Sequence, residues 1–145
     1  MFHYYLRVRY AECDAQKVVF NTRYSEYVDV AMNEFLRAIG FDTNRLLASG
    51  LDFQLVKQTI EWKAPARFDD VLDVHTRCVG LRGARFRYEY AVVRDDGVLV
   101  AEGHTEHACV DAETLRPTRV PDWLSAAVAA AESSSSLSSA SSSTT

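Results

Sequence analysis

Tyr24-Ser25-Glu26-Tyr27-Val28-Asp29-Val30-Ala31-Met32-Asn33-Glu34-Phe35-Leu36-Arg37-Ala38-Ile39-Gly40 is the stretch that decides the fold. Tyr24, Tyr27, Val28, Ala31, Met32, Phe35 and Ile39 recur at i, i+3, i+4, i+7, i+8, i+11 and i+15, the apolar stripe of a helix with one buried face. Asn21 or Thr22 can cap its start, and Gly40 can end it in a left-handed conformation. Eighteen residues would make it about 27 Å long. It is the only strong helical pattern before the C-terminal region.

Around it the pattern changes to a period of two. Leu72, Val74, Thr76 and Cys78 alternate with Asp73, His75 and Arg77, and Phe86, Tyr88, Tyr90 and Val92 alternate with Arg87, Glu89 and Ala91. Such alternation describes strands with one buried face. Turn signals at Arg82-Gly83 and Asp95-Asp96-Gly97 join strands at about 71–81, 84–94 and 98–110 into an antiparallel meander. Further strands are expected at about 3–10 and 53–63, the latter ending near Pro65, with a short helix around Asp122 to Ala131. One helix thus has a whole sheet to cover. The expectation is an α+β fold, an antiparallel sheet of about five strands wrapped around one long helix, which is the hotdog arrangement if the helix packs on the concave face.

Composition bounds the function. The chain has 145 residues, 48% hydrophobic and 25% charged, which fits one domain with a real core. Nine of the thirteen residues from Ser133 to Thr145 are serine, so residues 132–145 read as a flexible tail behind a domain of residues 1–131. Sixteen Lys+Arg against twenty Asp+Glu give a net charge of −4 and no basic surface for nucleic acid. No apolar run approaches the roughly 20 residues of a membrane span. The start, Met1-Phe2-His3-Tyr4-Tyr5, lacks the regions of a signal peptide. Cys13, Cys78 and Cys109 are too far apart for a zinc knuckle or a disulfide framework and read as reduced thiols. A cytoplasmic protein is expected.

The chemistry is sought in the segment from Arg9 to Tyr24, which joins the first strand to the long helix. A helix start carries unpaired N–H groups and about half a positive charge. An acyl carbonyl placed there would be polarised, and charge developing on its oxygen stabilised. Asp14, seven residues before Asn21, could fold its carboxylate back over that start. Carboxylate and amide would then flank a small electrophile such as a thioester. Equally, Asp14 alone fits an Asx-turn.

In this segment the sequence resembles the 4-hydroxybenzoyl-CoA thioesterase family of hotdog proteins, which includes the Tol-Pal-associated acyl-CoA thioesterases. Arg9, Tyr10, Glu12, Asp14, Val18, Val19, Phe20 and Tyr24 stand in register with the family pattern R-Y-x-E-x-D-x-x-G-V-V-aromatic-x-x-x-Y. Trp62-Lys63-Ala64-Pro65-Ala66-Arg67-Phe68-Asp69-Asp70 and Ala101-Glu102-Gly103 are weaker matches. The resemblance implies an acyl-CoA thioesterase. Asp14 would be its nucleophile or general base, and the Asn21 backbone N–H its donor to the thioester oxygen. No metal and no organic cofactor is implied. Sites between the subunits of a homodimer, which can pair into a homotetramer, are implied as well. Tyr24 is read as core packing first and acyl-pocket wall second. Arg82 and Arg85 match a basic turn near the nucleotide end of coenzyme A, and Lys63 and Arg67 are weaker candidates. Two departures stand out: Lys17 replaces a glycine at a turn that often wants positive φ, and Asn21 replaces a histidine or tyrosine.

Other candidates are bland by comparison. His104 and His107 lie three apart on a strand and so face opposite ways, which excludes a shared metal ion. Cys13 reads as a small packed thiol, and Glu26, near the helix start, is the reserve carboxylate. A hydratase or dehydratase of the same fold would need a histidine at the substrate, and Glu12 to Ser25 contain none. A non-catalytic acyl-CoA-binding protein is the remaining alternative, motivated by Lys17 and Asn21.

Overall fold

The computed structural model describes residues 1–143, with side chains at residue 43 and at 134–143 left aside. Its elements run β1 (Phe2–Arg7), a 3-10 turn at Tyr10–Glu12, α1 (Arg23–Ala38), α2 (Thr43–Ala48), β2 (Leu51–Trp62), β3 (Val71–Arg82), β4 (Arg85–Arg94), β5 (Leu99–Asp111) and α3 (Asp122–Ser143). The strands form one antiparallel sheet in the order β1-β3-β4-β5-β2. Both expected hairpins are present, with Gly83 (φ +57) and Gly97 (φ +85) in conformations that turns demand and side chains resist.

α1 is the expected helix, and its buried residues are Tyr24, Tyr27, Val28, Ala31, Met32, Phe35 and Leu36. Its first half packs with Val8, Val74, Tyr90, Val92 and Val100, and its second half with Cys78, Phe86, Tyr88 and Cys109. Apart from Val8, which follows β1, these partners come from β3, β4 and β5, so one sheet and a single helix stripe make the core. α3 closes the far end, where Leu124 and Val128 join the second group.

Three details correct the expectations. The described residues hold three α-helices rather than two, because Asp42 accepts from Arg45 N at 2.8 Å and caps the short α2. The first strand ends at Arg7 rather than residue 10, since Glu12 accepts from Arg9 N at 2.8 Å and curls the chain into the 3-10 turn. The side-chain cap expected from Asn21 or Thr22 is not made: Thr22, at φ −70 and ψ −20, is already helical, whereas a capping side chain needs an extended backbone. Gly40 does end α1 at φ +95.

Helix α3 runs beyond Ala131. Glu132 accepts from Cys78 N at 3.0 Å and pairs with the N-terminal ammonium at 3.3 Å. Most of the expected tail, side chains 134–145, lies outside the described residues. Among those described, no helix is long and apolar enough to cross a membrane.

Candidate active site

The segment before α1 is a closed loop braced by one buried carboxylate. Glu12, 4% exposed, accepts from Arg9 N, from the Arg9 guanidinium at 3.2 Å and from Tyr27 Oη at 3.0 Å, which ties the loop to α1. Burial pushes the Glu12 carboxyl up, but the bonds from Arg9 and Tyr27 outweigh it and hold it below the usual carboxylate range. Phe20 N donates to Glu12 O at 3.0 Å, and Cys13 pairs with Val19 across the loop.

Asp14 sits at the tip of this loop. Its Oδ1 accepts from Gln16 N at 2.8 Å and Val18 N at 3.5 Å, the Asx-turn that the bare sequence allowed. Its Oδ2 has no hydrogen-bond partner among the described residues. Lys17 donates its N–H to Asp14 O at 2.9 Å with φ at +66, so the turn keeps the left-handed geometry that suits glycine despite the lysine.

Asn21 stands where α1 begins. Phe20 N and Arg23 N are bonded, to Glu12 O and Phe20 O, but the amides of Asn21 and Thr22 have no acceptor among the described residues. Thr22 N is an orphan donor of the helix start, and Asn21 N lies one residue before that cap position. Asn21 and Thr22 open on a cleft of about 300 Å³ completed by Ser25, Gln58, Ile60 and Trp62. Ser25 Oγ donates to Gln58 Oε1 at 3.3 Å across this cleft. Ser25 and Gln58 also line a second cleft of about 270 Å³, which lies along α1 and reaches Thr105 and His107 of β5.

The structure brings some of the sequence candidates together and separates others. No hydrogen bond joins Asp14 to Asn21 among the described residues. Tyr24 is 2% exposed, packed edge-on against Tyr27, and lies in the core rather than on the cleft beside Asn21. Arg82 and Arg85 pair at the exposed β3–β4 tip and have no ion-pair partner among the described residues. They lie at the other end of the sheet: Arg85 pairs with Ala108 and Trp62 with Ala101, seven residues or about 23 Å apart along β5. Lys63 is held by Glu61 at 2.9 Å, and Arg67 N by Asp70 at 2.9 Å. Glu26 pairs with Arg23 at 3.1 Å and lines the second cleft.

The remaining candidates resolve simply. His104 bonds Thr59 Oγ1 on the outer face of the sheet, whereas His107 stacks on Phe86 on the inner face, 4.9 Å between ring centroids. No group of three potential metal ligands exists among the described residues. Cys13, Cys78 and Cys109 are unpaired. Burial raises the Cys13 thiol, and the neighbouring Glu12 and Asp14 carboxylates raise it further, which disarms it as a nucleophile. Glu12 entered the sequence reading only as a residue of the family pattern. Its bracing role has no local signature, because an arginine offers no acceptor for a capping box, and of that box's two bonds only the one from Arg9 N–H to Glu12 is made. Gln58 and the placement of His107 beside α1 carry no signal either, because only the tertiary fold brings them there.

The family model of the thioesterase-like superfamily matches residues 8–128. The acyl-CoA thioester hydrolase YbgC of Escherichia coli (strain CFT073) is 31% identical over 121 residues, 83% of this chain and 90% of that protein. A hypothetical protein of Thermus thermophilus of known crystal structure is 35% identical, with a TM-score of 0.83 over 90% of this chain and 98% of that one. The Synechocystis 1,4-dihydroxy-2-naphthoyl-CoA thioesterase Slr0204 shares the fold at a TM-score of 0.82 and 22% identity, over 88% of this chain and 95% of its own. The family model covers nearly the whole folded part and a curated relative is 31% identical over 83% of the chain: the chain belongs to the thioesterase-like superfamily.

Proposed function

We propose that the protein hydrolyses an acyl-CoA thioester to the free acid and coenzyme A, as its relative YbgC is named for doing. The observation that carries this reading is the pair of unbonded amides at Asn21 and Thr22, opening on a cleft at the start of a sixteen-residue helix. The thioester oxygen is bound by the Asn21 N–H, where the helix dipole and a fixed donor both favour the negative charge of the tetrahedral transition state. Asp14 supplies the carboxylate, through Oδ2, either attacking the carbonyl or taking a proton from water. Thiolate is a good leaving group, so neither route needs a metal.

The wider arrangement follows the same reading. Wrapping of the sheet around α1 in the hotdog manner is supported by the burial of one α1 face against β3, β4 and β5. β2 is an open sheet edge. Two copies paired antiparallel along β2 would carry the Arg82–Arg85 tip of one towards the helix start of the other. The arginines would there hold the phosphates of coenzyme A bound at the neighbour's site. The unpaired cysteines support a reducing, cytoplasmic setting.

The test is release of free thiol from acetyl-, hexanoyl-, palmitoyl- and an aromatic acyl-CoA, with Asp14→Asn beside the native protein. The variant is expected to fold normally and to lose at least about a hundredfold in rate, the scale of a positioned acid or base. A folded Asp14→Asn protein with most of its activity overturns the assignment. Glu26, Asp29 and His107 line one cleft, so water addition to an enoyl-CoA without thiol release is the reading that would replace it.

A further inference from the structure

We infer that His107 is a specificity-determining residue, at the inner end of the acyl cleft, for acyl groups that carry an uncharged hydrogen-bonding group far from the thioester. This rests on the thioesterase reading, which fixes the carbonyl at Asn21. Ser25 and Gln58 line both clefts, so the second cleft, which reaches β5, adjoins the first at that pair. Ile60, beside the carbonyl, pairs with Gly103, so His107 lies four residues further along β5, about 13 Å away. An acetyl group cannot span that distance; an acyl group of medium length can.

The end of this cleft is polar. Thr105 and His107, both buried, stand there on neighbouring inward positions, with His107 Nδ1 3.4 Å from Thr105 Oγ1. The ring is fixed by stacking on Phe86 with only 7° between planes. Nε2 has no partner within the described residues, yet it is not sealed: the sole described side-chain atom that is buried and unpartnered is His104 Nε2, on the opposite face. Nε2 therefore meets whatever occupies the cleft. Burial pushes the imidazole down to about 4, so it is neutral near pH 7 and presents one donor or one acceptor there, according to the tautomer that Thr105 selects.

The chain holds an apolar alternative for comparison. A cavity of about 20 Å³ between α1, α3 and the sheet is lined by side chains such as Met32, Phe35, Phe86, Leu124 and Val128. A site built for plain hydrocarbon would have extended that cavity. The open cleft ends instead on a histidine and a threonine. A hydrocarbon tip against Nε2 would strip it of water and give nothing back, whereas a hydroxyl would replace the lost bond. A terminal carboxylate is disfavoured by Glu26 and Asp29 on the same cleft.

The experiment compares kcat/KM for octanoyl-CoA and 8-hydroxyoctanoyl-CoA in the native protein, His107→Phe and His107→Gln, each checked for folding by its thermal transition. The native protein should favour the hydroxylated substrate by at least about tenfold. His107→Phe, which keeps the stacking on Phe86 but not the hydrogen bond, should bring the ratio within twofold of one. His107→Gln, which keeps a donor and an acceptor, should retain part of the preference. If the phenylalanine variant does not fold, His107→Leu takes its place. A native ratio near one, or a ratio unchanged by the substitution, overturns the inference while leaving thioester hydrolysis standing. If no acyl-CoA is hydrolysed, the thioesterase reading falls. Calorimetric Kd values for the same pair then decide the inference by the same criterion.

Discussion

Glu12 shows how one residue holds the chemistry of its neighbours. Three donors converge on a carboxylate that is almost out of water, and through them the loop bearing Asp14 is fastened to α1. A carboxyl held below its unfolded range stabilises the fold at pH values above the unfolded pKa. That contribution is lost as pH falls through the lower folded value. Glu12→Gln keeps the shape but weakens all three bonds, and at pH 7 it should cost about 2–3 kcal/mol in urea unfolding. The gap between variant and native protein should narrow as pH falls below the ordinary carboxylate range and the native Glu12 takes up its proton. A gap that stays constant through that titration would show that charge is not what the brace uses. At this scale the sequence was legible in part. The positive φ at Lys17 was foreseen, because the residue stands where a glycine is usual. The missing cap at Asn21 was not, since a cap residue followed by an apolar stripe reads as a satisfied helix start. The local rule fails at the place where the proposed function needs a free donor.

Among the elements, β5 and β2 depend on a contact that leaves no room for a side chain. Tyr90 Oη, on β4, reaches across β5 and donates to Thr59 O of β2 at 2.7 Å. It passes over Gly103, where an added Cβ would fall 1.9 Å from Thr59 O and 2.9 Å from Tyr90 Oη. Backbone cannot give way cheaply, so Gly103→Ala should destabilise by about 2 kcal/mol or more, read as a lower denaturant midpoint. Because Gln58 and Ile60 flank Thr59 and line the cleft beside Asn21, KM should rise as well. An alanine variant of native stability would mean that β2 slides freely on β5. The β3–β4–β5 meander was readable from alternation and two glycine turns. β2 was less so, because a bulge between Leu55 and Lys57 breaks its period and an edge strand has a wetter face. The inward direction of His107 was hidden for a related reason. Residues Val100, Ala101, Ala108, Cys109 and Val110 are all buried, so apolar residues crowd both ends of β5 and conceal the alternation between them.

For the whole molecule the open question is what pairs with β2. Its twelve residues end the sheet, and Leu55, Val56 and Trp62 expose 53%, 45% and 50% of their surface. A long edge with free backbone groups and apolar side chains is normally blunted by charge or covered. The chain has a modest net charge of −4, too little to keep two such edges apart. The second copy proposed above would also bring the Arg82–Arg85 tip, about 23 Å from Trp62 along the sheet within one chain, towards a neighbour's helix start. The native protein should therefore sediment as a dimer or a multiple of it. Val56→Asp, at the bulge and outside both clefts, sets two carboxylates against each other across a two-fold axis. The like-charge contact should weaken association at least about tenfold and lower thiol release in step with the fraction of monomer. A native protein that is monomeric and fully active, or a monomeric variant with undiminished turnover, would place the complete site within one chain. The Arg82–Arg85 tip would then have to find its anion elsewhere.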